Sequence, residues 1–115
     1  MLLVALLAQA KARGEEPEEH ITYCGDVVLS NVPKEATFTV VYVFRVKQGR
    51  ALNIREVHNP FLPKDAFVSC ISGWRLPKIR GSVTASFFYE RAEGWTETTV
   101  SGKGFRRDIL RMQKQ

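Results

Sequence analysis

Cys24, Cys70, His20 and His58 are the side chains of this chain best suited to covalent or metal chemistry. A thiol can close a disulfide, ligate a metal, or act as a nucleophile beside a base. His20 stands four residues before Cys24 and His58 lies between the two cysteines, so each chemistry has candidates. Zinc is a weak match, because the four residues contain no close Cys-x-x-Cys or His-x-x-x-His pair. Nucleophilic work would need Cys70 beside His58, or Cys24 beside His20. Both histidines have simpler places, His58 in the loop at Asn59-Pro60 and His20 at the end of a charged linker. Asp26 and Glu56 are isolated acids, and Gly102 and Gly104 lack the strand and helix that a phosphate loop requires. No catalytic, metal or cofactor site is therefore expected. The cysteines remain open to three readings: a disulfide, a metal site, or two buried thiols.

The compartment bears on that choice. Residues 1–10 are an apolar run ending in Ala8-Gln9-Ala10, the small-x-small form of a signal-peptidase site, with cleavage expected after Ala10. Eight apolar residues rise only about 12 Å as a helix, well short of the roughly 30 Å of hydrocarbon in a bilayer. A periplasmic or secreted protein is expected, with a frayed apolar terminus on a cytoplasmic protein as the alternative. In an oxidising compartment two cysteines read as a disulfide. Closing the span from Cys24 to Cys70 would stabilise the fold by about 4 kcal/mol in the chain-entropy model. A chain of 115 residues has room for one small domain, whose whole stability margin is of that order.

The elements that must hold these residues follow from hydrophobic period. Phe38, Val40, Tyr42, Phe44 and Val46 alternate along a β-branched and aromatic run, predicting the strongest strand. Gln48-Gly49 reads as a tight hairpin turn, and Ala51 to Val57 as the return strand with Leu52 and Ile54 on one side. Asn59-Pro60 and Leu62-Pro63 break the ladder. Pro63 and Asp65 suit a helix start, and Phe67, Cys70 or Ile71, and Trp74 recur at helical spacing, with Pro77 setting the end. Val83, Ala85, Phe87 and Tyr89 then share one face of a further strand, and Glu93-Gly94 turns it into a short one from Trp95 to Val100. Ahead of the sheet, Ile21, Cys24 and Val27 or Val28 fit a helix better than a strand. The expected fold is α+β: a small antiparallel sheet of three to four strands with two helices on one face, each bearing one cysteine.

Charge divides the ends. Residues 11–19 carry Gly-Glu-Glu-Pro-Glu-Glu, an acidic linker too polar to pack, while 102–115 form a basic tail that supplies much of the net charge of +5. Phe105, Ile109 and Met112 fall at i, i+4 and i+7, so the tail can form an amphipathic helix. Lys103, Arg106, Arg107 and Arg111 are the candidate anion-binding residues. The threonine-rich last strand suggests an exposed edge, making Trp95, Thr96, Thr98 and Val100 the candidate partner-binding residues.

Val40 to Val46, the turn and return Gln48-Gly49-Arg50-Ala51-Leu52-Asn53-Ile54, the helix Phe67 to Trp74, and Trp74-Arg75-Leu76-Pro77 before a β segment resemble, in order, the TonB carboxy-terminal domain. The cysteine positions are similar to the two-cysteine branch found in gliding-motility and adhesion-associated envelope proteins. The resemblance covers roughly residues 20 to 90, within a domain drawn at 20–101. It implies a non-catalytic envelope module that binds a protein partner through an exposed sheet edge. The membrane helix and long proline-rich spacer of the energy transducers are not found in the sequence, so a standalone domain is expected. The alternative is a binder of anionic surfaces, membrane headgroups or nucleic acid, acting through the tail, with peripheral membrane contact its stronger form. Nucleic acid is the weaker form and is not expected as the partner, since export removes the usual target and no recognition motif accompanies the charge.

Overall fold

Period-two runs dominate the chain, and the computed structural model, which describes residues 19–24 and 32–112, folds them into one five-stranded antiparallel sheet. The strands are β1 (Thr37–Lys47), β2 (Arg50–His58), β3 (Gly81–Glu90), β4 (Trp95–Gly102) and β5 (Phe105–Met112), in the order β2-β1-β3-β4-β5. One short helix, α1 (Val68–Ser72), lies in the connection from β2 to β3. Because β2 and β3 both pair with β1, that connection must pass over β1.

The alternating residues of β1 and β3 make the core as expected. Phe38, Val40, Tyr42, Phe44 and Val46 are buried, and so are Val83, Ala85, Phe87 and Tyr89 beside them. Above them sit Leu62, Phe67, Ile71, Trp74 and Leu76 from the crossover, all buried. The contacts are largely aromatic, with Phe67 against Phe87 at 4.4 Å between ring centroids and Trp74 against Phe44 at 6.1 Å. The turn Gln48-Gly49 has φ of 53° and 77°, the doubly left-handed form that matches strand twist. Gly49 also lies under Pro77, where a Cβ would come within 3.3 Å of its Cα, and its carbonyl accepts the Leu76 amide at 2.9 Å.

The two-helix arrangement on three or four strands is not what forms. Among the described residues there is one helix of five residues, and the sheet has five strands. The helix starts at Val68, after Pro63 and Asp65, because Asp65 is held at φ 58° with its amide donated to the Glu56 carboxylate at 2.9 Å. Segment 19–24 is not helical: it runs beside the crossover, His20 and Arg75 exchanging backbone bonds of 2.8 and 2.9 Å. Glu19 and Ile21 are buried while His20 and Thr22 are exposed, a period of two rather than 3.6. Val27 and Val28 lie outside the described residues, as do the apolar run 1–10 and linker residues 11–18.

The tail is strand, not helix. Lys103-Gly104 turns the chain and Phe105 to Met112 pairs with β4 without a register break. Leu52 and Ile54 also part company. Asn53 has φ 54° at a register shift opposite Phe44, so this bulge turns Leu52 to the open face and Ile54 toward the core.

A polar node ties the crossover to the sheet. One carboxylate oxygen of Glu56 accepts from the Tyr42 hydroxyl at 2.5 Å, the Asn59 amide at 3.1 Å and the Asp65 backbone amide. The Tyr42 oxygen in turn accepts the Phe67 amide at 3.2 Å. Burial, and then the bond to Glu56, push the Tyr42 phenol well above its usual range. The unfolded chain releases this proton near pH 10 while the folded chain retains it, so the stabilisation is complete below about pH 10 and declines as pH rises beyond. Tyr42→Phe is expected to cost about 1–2 kcal/mol at neutral pH and to flatten the alkaline fall in urea midpoint. An unchanged alkaline slope would contradict this role.

Candidate functional site

The last two strands and the segment before Cys24 form one unit. Cys24 and Cys70 are joined as a disulfide with Cα atoms 5.8 Å apart, spanning 46 residues. The Trp74 indole donates to the Thr22 carbonyl at 3.0 Å, and the Tyr23 hydroxyl donates to Thr96 Oγ1 at 3.4 Å. Segment 19–24 is thus bonded to the crossover on one side and to β4 on the other.

Glu19 carries the same segment to β5. Its two carboxylate oxygens accept from Arg107 Nε and Nη2 at 3.1 and 3.0 Å, with the Glu19 side chain 3% exposed. Such a parallel, charge-assisted pair satisfies both groups at once. The Arg107 guanidinium also lies 5.0 Å from the centroid of the Phe105 ring. Glu19, assigned to the linker from composition, is therefore part of the folded body.

On the opposite face of β5 Arg106 Nε donates to both oxygens of Asp108, at 3.3 and 3.1 Å, and the Thr99 hydroxyl donates to Oδ1 at 2.9 Å. The Arg106 guanidinium, then the Thr99 hydroxyl, hold the Asp108 carboxyl below the usual carboxylate range. Two of the four expected anion-binding cations are thus engaged within the chain. Lys103 stands exposed at the β4–β5 turn, and Arg111 pairs with Thr96 in the ladder.

The expected partner-binding set is not at an edge. β4 lies between β3 and β5, so its backbone is bonded on both sides. Thr96, Thr98 and Val100 are buried, and Trp95 lies against Phe88 at 5.4 Å on the open face. The sheet ends instead at β2 and β5. β2 is interrupted by two register shifts, a device that blunts an edge. β5 pairs through eight consecutive positions without one. Its two-residue turn makes Gly102 and Phe105 a hydrogen-bonded pair, so Phe105, Arg107 and Ile109 bond β4 while Arg106, Asp108 and Leu110 direct amide and carbonyl outward. Leu110 is 65% exposed on this strand. The alternation of Arg106, Asp108 and Leu110 after a Lys-Gly turn was the available sequence signal for this edge.

No family model matches the chain, and neither does any curated protein or solved structure. Among the described residues no three His, Cys, Asp or Glu side chains gather as metal ligands, and no helix is long and apolar enough to cross a membrane. Both cysteines are consumed by the disulfide, which removes the thiol nucleophile from the oxidised protein.

Arg107 and Arg106 should respond differently to truncation. Arg107→Ala leaves Glu19 buried without its bidentate partner and is expected to cost about 3 kcal/mol, whereas Arg106→Ala at an exposed pair should cost less than about 1 kcal/mol. Urea denaturation of the two variants measures the difference; equal losses would contradict the anchoring role of Glu19.

Proposed function

We propose that this chain is a non-catalytic protein-binding module of an oxidising, extracytoplasmic compartment, and that it takes an extended partner segment onto the outer side of β5. The observation that carries the reading is the unbroken β5 ladder at the end of the sheet, with the amides of Arg106, Asp108 and Leu110 turned away from β4. Backbone pairing supplies directional bonds that do not depend on one partner sequence. An exposed leucine on a long flat edge is otherwise an aggregation hazard, which favours a strand that is covered in use. The disulfide supports the oxidising compartment, where such bonds persist. A periplasmic or envelope location for the partner belongs to this proposal.

Peptide display against the disulfide-bonded protein tests it. Leu110→Pro removes an outward amide donor without removing a bond to β4, while Leu110→Thr shortens the side chain and keeps the donor. Selected peptides should bind the threonine variant within about threefold of the parent and the proline variant at least about tenfold more weakly, the loss of roughly one well-formed hydrogen bond and its alignment. Equal binding to all three proteins would overturn edge recognition.

A further inference from the structure

Four cations that played no part in the sequence argument converge at the other end of the sheet. Arg45 and Lys47 project from β1 near its turn, Arg55 from β2, and Arg80 from the crossover just before β3. They line two adjoining grooves of about 630 and 340 Å³ that share Arg45 and Asn53. The larger holds Arg45, Lys47 and Arg80, the smaller Arg45 and Arg55, and neither lining contains a carboxylate.

Backbone irregularities build this place. The Asn53 bulge turns Leu52 outward, making it 44% exposed and one wall of the larger groove. Gly81, at φ 87°, ends the crossover so that Arg80 precedes β3 beside the β1 turn. Arg45 Nη1 reaches across to Ser82 Oγ at 3.5 Å. Non-glycine residues in the left-handed region are uncommon, and they concentrate where local geometry serves a site.

We infer that these grooves bind a small organic phosphate monoester, its phosphate held by Arg45 with Lys47 and Arg80, and its apolar body against Leu52 and Ile79. Three like charges gathered without a counter-charge repel one another, and a dianionic phosphate neutralises most of that charge. The planar guanidiniums of Arg45 and Arg80 suit paired bonds to phosphate oxygens. The larger groove has the size of small-molecule clefts, and its walls supply the apolar contact that a bare ion cannot use. No aromatic residue lines the larger groove, and Phe44, which borders the smaller one, is buried in the core, so the exposed stacking surface of a single-stranded nucleic-acid site is missing there. The same chemistry can come from a soluble metabolite or from a lipid with a phosphomonoester head. The site is separate from the β5 edge and does not depend on it.

Calorimetric titration of the disulfide-bonded full chain with phenyl phosphate and with inorganic phosphate at low salt tests the site, alongside sedimentation with phosphatidylcholine vesicles with or without phosphatidic acid. Phenyl phosphate should bind at least about tenfold more tightly than inorganic phosphate, and Arg45→Gln and Arg80→Gln should each weaken it about tenfold, while Lys34→Gln, the same charge change at an exposed residue before the opposite end of β1, leaves it unaltered. Phosphatidic-acid sedimentation lost in Arg45→Gln supports the site with a lipid source; phenyl phosphate binding lost in that variant supports it with a soluble one. Loss of equal size in Lys34→Gln, or no binding to either probe, would overturn it. Circular dichroism of Arg80→Gln, whose residue lies outside the strands, separates lost binding from lost fold.

Discussion

The sheet has one apolar face, and what covers it has almost no regular structure of its own. A helix of five residues is too short to stand by itself, so the cover stays in place through its ties to the sheet and to segment 19–24. These ties are of different kinds. Phe67, Trp74 and Leu76 bury apolar surface, the Glu56 carboxylate holds Asn59 and Asp65, and the disulfide fixes Cys70 to the segment that begins at Glu19. Losing any one exposes the same aromatic face of β1 and β3.

The polar residues at inward positions follow the same logic. Tyr42 and Arg107 sit where the strand period points to the core, and each is acceptable because a carboxylate from another element meets it. Glu19 thereby connects the ordered end of the N-terminal segment to the final strand. With its inner side held this way, β5 is a firm ledge rather than a fraying end, and its outer side carries the unpaired backbone. The open face of the sheet mixes Val41, Val43 and Phe88 with Thr84, Ser86 and Thr99 in its middle and carries cations toward the β1–β2 turn.

Much of the centre was legible in the residues. β1 and β3 alternate without interruption, Gln48-Gly49 is a strong turn signal, and the two cysteines of an oxidised chain have only each other. The misreadings share a cause: a polar or irregular residue stood where the pattern needed an apolar one. Arg107 breaks the period of β5, so Phe105, Ile109 and Met112 read as a helical stripe until Glu19 is seen to neutralise it. The Asn53 bulge reverses the facing of β2, which alternation by itself cannot reveal. Threonines suggested an edge at β4, but their inward burial follows from a fifth strand hidden by that same arginine. With β5 read as a tail helix, both the edge and the expected anion-binding set fall in the wrong place.

Residue-resolved hydrogen exchange of the oxidised protein tests the openness of β5 most directly, because protection reports which backbone amides are bonded. The amides of Phe105, Arg107 and Ile109 should be protected with the rest of the sheet, while those of Arg106, Asp108 and Leu110 exchange rapidly. Uniform protection along the strand would show its outer side already covered and contradict the account.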